Sequence, residues 1–179
     1  MRRGSLARSV LLLGFVLALA WSAATASATP PCAAETRLVN AWLEILNQHV
    51  RITGQETRLL GNMYALVAAD QDVPGTMVTQ MALLTGKNTL VISGGERRLA
   101  RMPGGTPNGR RFKGLALRYL REVARPLNSC IGRLIVAQTR TQIASVIQCV
   151  ESVQRTQASL SRAVDRSLAQ MAATTSPCR

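Results

Sequence analysis

The 179-residue chain has few of the side chains on which enzymes and nucleic-acid-binding surfaces depend. It contains one histidine and nine acidic residues, and no nucleophile stands in a catalytic motif, so we expect no enzyme activity. Beyond residue 28 the aromatic side chains are Trp42, Tyr64, Phe112 and Tyr119, too few for the stacking platforms that bind single-stranded nucleic acid. We therefore expect no nucleic-acid partner.

Long apolar runs are also missing, and the longest extends from Val10 to Trp21. It follows an arginine-containing start and precedes small residues that end at Ala28, a pattern typical of a secretory signal peptide. The run is shorter than the ~20 residues that a membrane span requires. We expect residues 1–28 to be removed and residues 29–179 to be secreted as one domain, without membrane insertion.

Positive charge is what the chain has in excess. It carries 22 Lys and Arg residues, and removing the three arginines of the signal peptide leaves 19 against nine acids, a formal charge of +10. Nearly all of these cations are arginines, because Lys87 and Lys113 are the only lysines. Such a field attracts acidic partners, for example glycosaminoglycans, without selecting among them.

Four cysteines, Cys32, Cys130, Cys149 and Cys178, predict disulfides in an exported chain, with three possible connectivities for two bonds. None is spaced like the cysteine pairs of zinc sites, which lie two to four residues apart. We therefore expect neither a metal nor another cofactor.

The first apolar pattern predicts a helix, helix A, over about 34–51. Leu38, Trp42, Ile45 and His49 recur at helical spacing on one face. His49 has no nucleophile or acid partner in the sequence pattern and is interpreted as a surface or half-buried residue. The pattern keeps its phase beyond Gly54, so a helix that continues and one that restarts there fit equally well.

A second helix, helix B, is expected over about 76–101, irregular because Gly94 and Gly95 are poor helix formers. Residues 94–114 contain six glycines, two prolines and six cations, and they fit either a polyanion-binding patch or a flexible solvated loop. We favour the loop, because no aromatic residue interleaves with the cations before Phe112.

Two further apolar stripes predict helix C over about 110–128 and helix D over about 154–173. Phe112, Ala116, Leu120 and Val123 share one face of helix C, and Pro126 predicts an end or a kink near Ala124. Residues 131–152 show a weaker pattern that a helical crossover would also give.

One segment reads Leu117-Arg118-Tyr119-Leu120-Arg121-Glu122-Val123, followed after a gap by Ser129-Cys130. This pattern resembles the third helix of the leptin family and the cysteine that ends it. The C-terminal Ser176-Pro177-Cys178 looks like the family's Ser-Pro-x-Cys terminus, one residue shorter, and Asp72-Val73-Pro74-Gly75 resembles a turn in its first long connection.

The resemblance implies an all-α, up-up-down-down four-helix bundle of the long-chain cytokine type, with long crossovers over 52–75 and 131–153. It also implies a disulfide between Cys130 and Cys178. In that layout a second bond between Cys32 and Cys149 becomes possible.

The function implied by the resemblance is that of a monomeric hormone. It would cluster a leptin-type class I cytokine receptor and trigger JAK/STAT-type signalling in the regulation of energy balance. One receptor face would be formed by helices A and C, with Arg37, Asn40, Ala41, Ala116, Tyr119 and Leu120. The second would be formed by Asp72, Val73, Pro74 and Thr156.

The alternative from the residues alone is a secreted basic helical protein that binds heparin-like polyanions through the arginines of 97–121.

Overall fold

The described part of the chain, residues 33–137 and 139–173 of a computed structural model, is helical and contains no strand. Helix α1 spans Ala33–Ala68, α2 spans Gly75–Arg101, α3 spans Pro107–Tyr119, α4 spans Arg125–Gly132 and α5 spans Arg140–Ala173. A π-helical turn, Leu120–Ala124, joins α3 to α4, and a 3-10 turn, Arg133–Val136, follows α4. The expected signal peptide, Cys32 and Cys178 lie outside the described residues.

Helix α1 runs for 36 residues, well beyond the predicted end at residue 51. Its buried positions continue at helical spacing through Ile52, Glu56, Leu59 and Met63. Because the apolar face keeps its phase, packing along the whole length outweighs the low helix propensity of Gly54.

Helix α2 is continuous over 27 residues, so the predicted irregularity at the glycine pair is wrong. Gly95 is buried, and a Cβ atom there would come within 2.7 Å of Ile45 Cγ2 on α1. The missing side chain therefore permits a close approach of two helices instead of breaking one.

Helices α3 and α4, with the π-helical turn between them, form the third rod of the bundle. This rod continues through Pro126 because its hydrogen-bond register changes just before the proline. The amide N–H of Arg125 donates to the carbonyl of Leu120, five residues back, as in a π-helix. Proline has no amide hydrogen to donate, which explains why the irregular turn lies directly before it. The structure therefore has a π-helical turn where the sequence predicted an end or a kink.

Successive rods run antiparallel, as specific contacts along their lengths show. Arg98 of α2 contacts Glu44 of α1, whereas Asn88, ten residues earlier on α2, contacts His49 and Glu56, which lie later on α1. The opposite order of contacts along the two helices requires opposite directions. Glu96 and Thr89 of α2 likewise meet Arg125 and Asn128, so α2 runs antiparallel to α4.

Short connections produce this arrangement, because residues 69–74, 102–106 and 137–139 leave room only for tight reversals. The long crossovers expected over 52–75 and 131–153 are absent: residues 52–68 and 140–153 are helical. The described rods thus follow an up-down-up-down order, and the expected up-up-down-down order is corrected.

One core joins the rods. Trp42 packs edge-to-face against Phe112 and Tyr119, with ring centroids 6.5 and 5.5 Å apart. The predicted core stripe of helix C is confirmed, since Phe112, Ala116, Leu120 and Val123 are all buried. From the described residues, no helix has the length and apolarity needed to cross a membrane.

A disulfide fastens α4 to α5. It joins Cys130 to Cys149, whose Cα atoms are 5.7 Å apart. The expected Cys130–Cys178 and Cys32–Cys149 bonds are therefore both wrong, because each uses a cysteine that is already bonded. The reason is the early start of α5 at Arg140, which brings Cys149 back alongside α4 across a short turn.

Candidate functional site: a basic face on helices α2 and α3

Residues 97–125 carry nine cations and one acidic residue, Glu122. The stretch is the end of α2, a five-residue turn and the third rod, so its side chains stand on two adjoining helices. The flexible loop predicted over 94–114 is therefore wrong. Charges held on helices keep fixed spacings, which a polymer with regularly spaced anions can match.

Three of these arginines are neutralised by nearby carboxylates. Arg98 pairs with Glu44 at 2.6 Å, Arg125 with Glu96 at 2.7 Å, and Arg118 with Glu122 at 3.0 Å across one helical turn. All three arginine side chains are more than half exposed, so we assign these pairs little stabilising energy. The three pairs therefore leave six of the nine cations of residues 97–125 without a neighbouring carboxylate in the described part of the chain.

Six cations of the stretch have no carboxylate partner among the described residues, and they define what we call the basic face: Arg97, Arg101, Arg110, Arg111, Lys113 and Arg121. Five of these side chains are exposed, and Lys113 is half-buried. Arg110 donates to the carbonyl of Gly105 at 3.0 Å, an uncharged partner that leaves its charge uncompensated. The basic face thus presents positive charge that the protein itself does not balance.

Lys113 holds the two helices of the basic face together. Its Nζ donates to the carbonyls of Ala100 and Met102, at 2.7 Å each, at the C-terminal end of α2. A cation there also interacts favourably with the helix dipole. Lys113 meets Ala100 and Arg125 meets Glu96, so the third rod contacts α2 on both sides of Arg97 in the sequence.

The turn before α3 is shaped by its own residues. Thr106 caps α3 by accepting a hydrogen bond from the Gly109 amide at 3.2 Å, and its hydroxyl donates to the buried carboxylate of Glu35. Gly105 has a positive φ of 63°, and a Cβ atom on Gly109 would collide with the Gly104 carbonyl. These residues fix the direction of α3 relative to α2, and so the positions of the cations that α3 carries.

A buried polar cluster lies between α1 and α2, away from this face. The ring Nδ1 of His49 donates to the side-chain oxygen of Asn88 at 2.8 Å. The amide nitrogen of Asn88 donates to Thr53 Oγ1 at 3.2 Å and to Glu56 Oε2 at 3.1 Å. His49 is therefore buried and partnered, and the predicted surface or half-buried placement is wrong.

Burial sets the protonation of this cluster. It raises the pKa of Glu56 from 4.5 to about 7, opposed more weakly by the Asn88 hydrogen bond. It lowers the pKa of His49, again opposed by Asn88. Glu56 is wholly inaccessible and His49 is 2% exposed, so no substrate reaches them and their role is to fix the register of two helices.

Four of the residues predicted for the first receptor face lie in the core. Ala41, Ala116, Tyr119 and Leu120 are at most 4% exposed, and burial raises the pKa of Tyr119 to about 12. They cannot form a contact surface, because each points toward neighbouring helices. The amphipathic stripe of helix C already indicated burial for Ala116 and Leu120, and the structure extends it to Ala41 and Tyr119.

The remaining predicted contact residues are accessible but separated. Arg37, Asn40, Asp72, Pro74 and Thr156 are exposed, and Val73 is half-buried. Asp72 and Val73 line a cleft of about 680 Å³ with Thr139, at the start of α5. Thr156 lies 17 residues farther along the chain, about 26 Å along the helix axis, so the structure does not bring the predicted second face together.

The described residues contain no group of three or more His, Cys, Asp or Glu side chains that could hold a metal ion. No family model, no curated protein and no solved structure matches the chain.

Proposed function

We propose that this protein is a secreted, disulfide-bonded helical bundle that binds acidic polymers, of which heparin-like glycosaminoglycans are the model. The observation that carries the proposal is the basic face: six cations on two adjoining helices without a carboxylate partner in the described residues. Six uncompensated cations within residues 97–121 create a stronger local field than the same charge spread evenly over the surface.

The placement of Lys113 supports the same proposal. A carboxylate partner would neutralise this side chain, whereas the α2 carbonyls hold it in place and leave its full charge. The arginines suit sulfate and phosphate groups, because guanidinium groups donate two parallel hydrogen bonds to planar or tetrahedral anions.

The test compares two variants with equal charge. In the face variant, four exposed arginines of the basic face become glutamine, namely Arg97, Arg101, Arg111 and Arg121. In the control variant, four exposed arginines outside it become glutamine, namely Arg51, Arg58, Arg133 and Arg155. We expect the face variant to elute from immobilised heparin at much lower salt than the control variant.

Two results would refute the proposal. The first is that the wild-type protein does not bind heparin resin at physiological salt, because it then has no significant affinity for polyanions. Equal weakening in both variants would mean that net charge, without any defined face, accounts for the retention.

We propose as a second candidate that the protein is a ligand of a class I cytokine receptor. This proposal rests on the sequence resemblance. Arg37, Asn40, Asp72, Pro74 and Thr156 are the predicted contact residues that remain accessible for it. The up-up-down-down bundle and the Cys130–Cys178 bond no longer form part of this proposal. Its test is a reporter assay in cells with and without the leptin-type receptor ectodomain, and equal silence in both would end it.

A further inference from the structure

Helix α2 exposes two large apolar side chains on its outer side. Leu83 is 61% exposed and Leu90 is 70% exposed. They are seven residues apart, close to two helical turns, so they share one face and lie about 10 Å apart along the axis. That face points away from the core, which takes Met81, Leu84 and Ile92 from the opposite side of α2.

The same outer face continues into the basic face. Arg97 follows Leu90 by seven residues and Arg101 follows by four more, so the leucines and arginines form one stripe along α2. Lys87 stands beside it, one turn from either leucine, and is exposed. The only acid of α2, Glu96, is turned toward Arg125.

We propose that this stripe, Leu83, Lys87, Leu90, Arg97 and Arg101, binds the surface of an anionic lipid bilayer. The inference rests on the proposed affinity for polyanions and names one acidic partner for the basic face. It adds a requirement for apolar contact that the proposed function alone does not contain.

The combination of side chains selects this partner over the others. A sulfated polysaccharide or a nucleic acid would use the arginines, and the exposed leucines would gain little from either. A second copy of the chain would bury the leucines, but it would bring Lys87, Arg97 and Arg101 close to the same cations of its partner. An anionic bilayer uses both kinds of side chain, since its headgroups attract cations and its interface takes up leucines.

The geometry fits binding parallel to the surface. The stripe runs along most of α2, whose 27 residues extend for about 40 Å, so the helix can lie on the bilayer without unfolding. Gly86 and Gly94 lie on the same outer side and add no bulk between the leucines and the lipid.

The experiment measures sedimentation of the full secreted chain with two kinds of vesicle, phosphatidylcholine alone and phosphatidylcholine with phosphatidylglycerol. The test variant is Leu83→Ser with Leu90→Ser. The control is Val136→Ser, which removes an exposed apolar side chain, 73% accessible, at a site outside the stripe. Circular dichroism verifies that each variant stays folded.

We expect wild-type protein to bind only the anionic vesicles, and the leucine variant to bind them roughly tenfold more weakly. The Val136→Ser control should bind like wild type. The leucine variant should elute from heparin at the wild-type salt concentration, because its cations are intact.

Each other outcome overturns the inference in a recognisable way. If the wild-type protein binds heparin but not anionic vesicles, the membrane proposal is refuted and the proposed polyanion binding is retained. Binding to neither would remove both. Unchanged vesicle binding by the leucine variant would show that the stripe is not the contact, and a dimer that only this variant loses would show that a second copy covers it.

Discussion

Gly95 of α2 and Ile45 of α1 are in direct contact, and a side chain on the glycine would occupy space that the isoleucine fills. The Cβ atom that alanine would add lies 2.7 Å from Ile45 Cγ2. Its neighbour Gly94 has nothing within 4 Å of the same position. Two consecutive glycines therefore have different roles.

We predict opposite effects of alanine at these two positions. Gly94→Ala should stabilise the protein by about 1 kcal/mol, because alanine favours the helix. Gly95→Ala should destabilise it by about 1–2 kcal/mol, because Ile45 must move. Urea unfolding of both variants measures the difference, and a shared sign would contradict the close contact of α1 and α2.

The second prediction concerns the disulfide. Replacing Cys130 and Cys149 by serine should lower the free energy of unfolding by about 3 kcal/mol, from the loop entropy of a 19-residue separation. A peptide map of the non-reduced protein should contain a linked Cys130–Cys149 fragment.

The same map examines the two cysteines outside the described residues. The even count predicts that Cys32 and Cys178 form the second bond, since Cys130 and Cys149 are already joined. A fragment that links Cys130 to Cys178 would contradict the arrangement of α4 and α5.

The third prediction follows from the raised pKa of Glu56. Its carboxyl group binds a proton more tightly in the folded state, so its contribution to stability is full below pH 4.5 and is lost as pH rises through about 7. Glu56→Gln should therefore gain stability relative to wild type as pH rises, by up to about 3 kcal/mol. The measurement is urea unfolding from pH 4.5 to pH 8.

Burial of His49 changes stability with pH in the opposite direction to Glu56. This effect cancels when Glu56→Gln is compared with wild type, because both proteins contain His49. Its lowered pKa means that stability is lost as pH falls below 6.5, in wild type and in Glu56→Gln alike. Glu151→Gln, which removes an exposed carboxylate, is the control. A Glu56→Gln difference that does not change with pH would mean that Glu56 ionises freely in the folded protein.

The sequence was sufficient for the helical class and for most core positions, because the apolar spacing correctly identified Leu38, Trp42, Phe112 and Val123, all of which are buried. The sequence was insufficient where a residue of low helix propensity lies in a helix that tertiary packing stabilises. Gly54 and Gly95 are poor helix formers, yet both lie inside long helices that an apolar face stabilises. Underestimating α1 left residues 52–68 for a connection that the protein does not have.

The pairing of Cys130 and the helical setting of the basic residues were predicted wrongly for related reasons. The pairing of Cys130 depends on where α5 begins, which spacing alone did not reveal. The arginines were assigned to a flexible loop because glycine and proline surround them, although Thr106-Pro107 is a typical start of a helix. That signal would have moved the predicted start of helix C from about residue 110 to Pro107.

The most direct test of the basic face is the salt dependence of heparin affinity, measured for wild type and for the two four-arginine variants. Each cation that contacts the polymer adds to the slope of log affinity against log salt. We predict that the slope of the face variant is smaller by roughly 3, by analogy with nucleic-acid polyanions, and that the slope of the control variant stays near the wild-type value. Equal slopes for all three proteins would contradict the account.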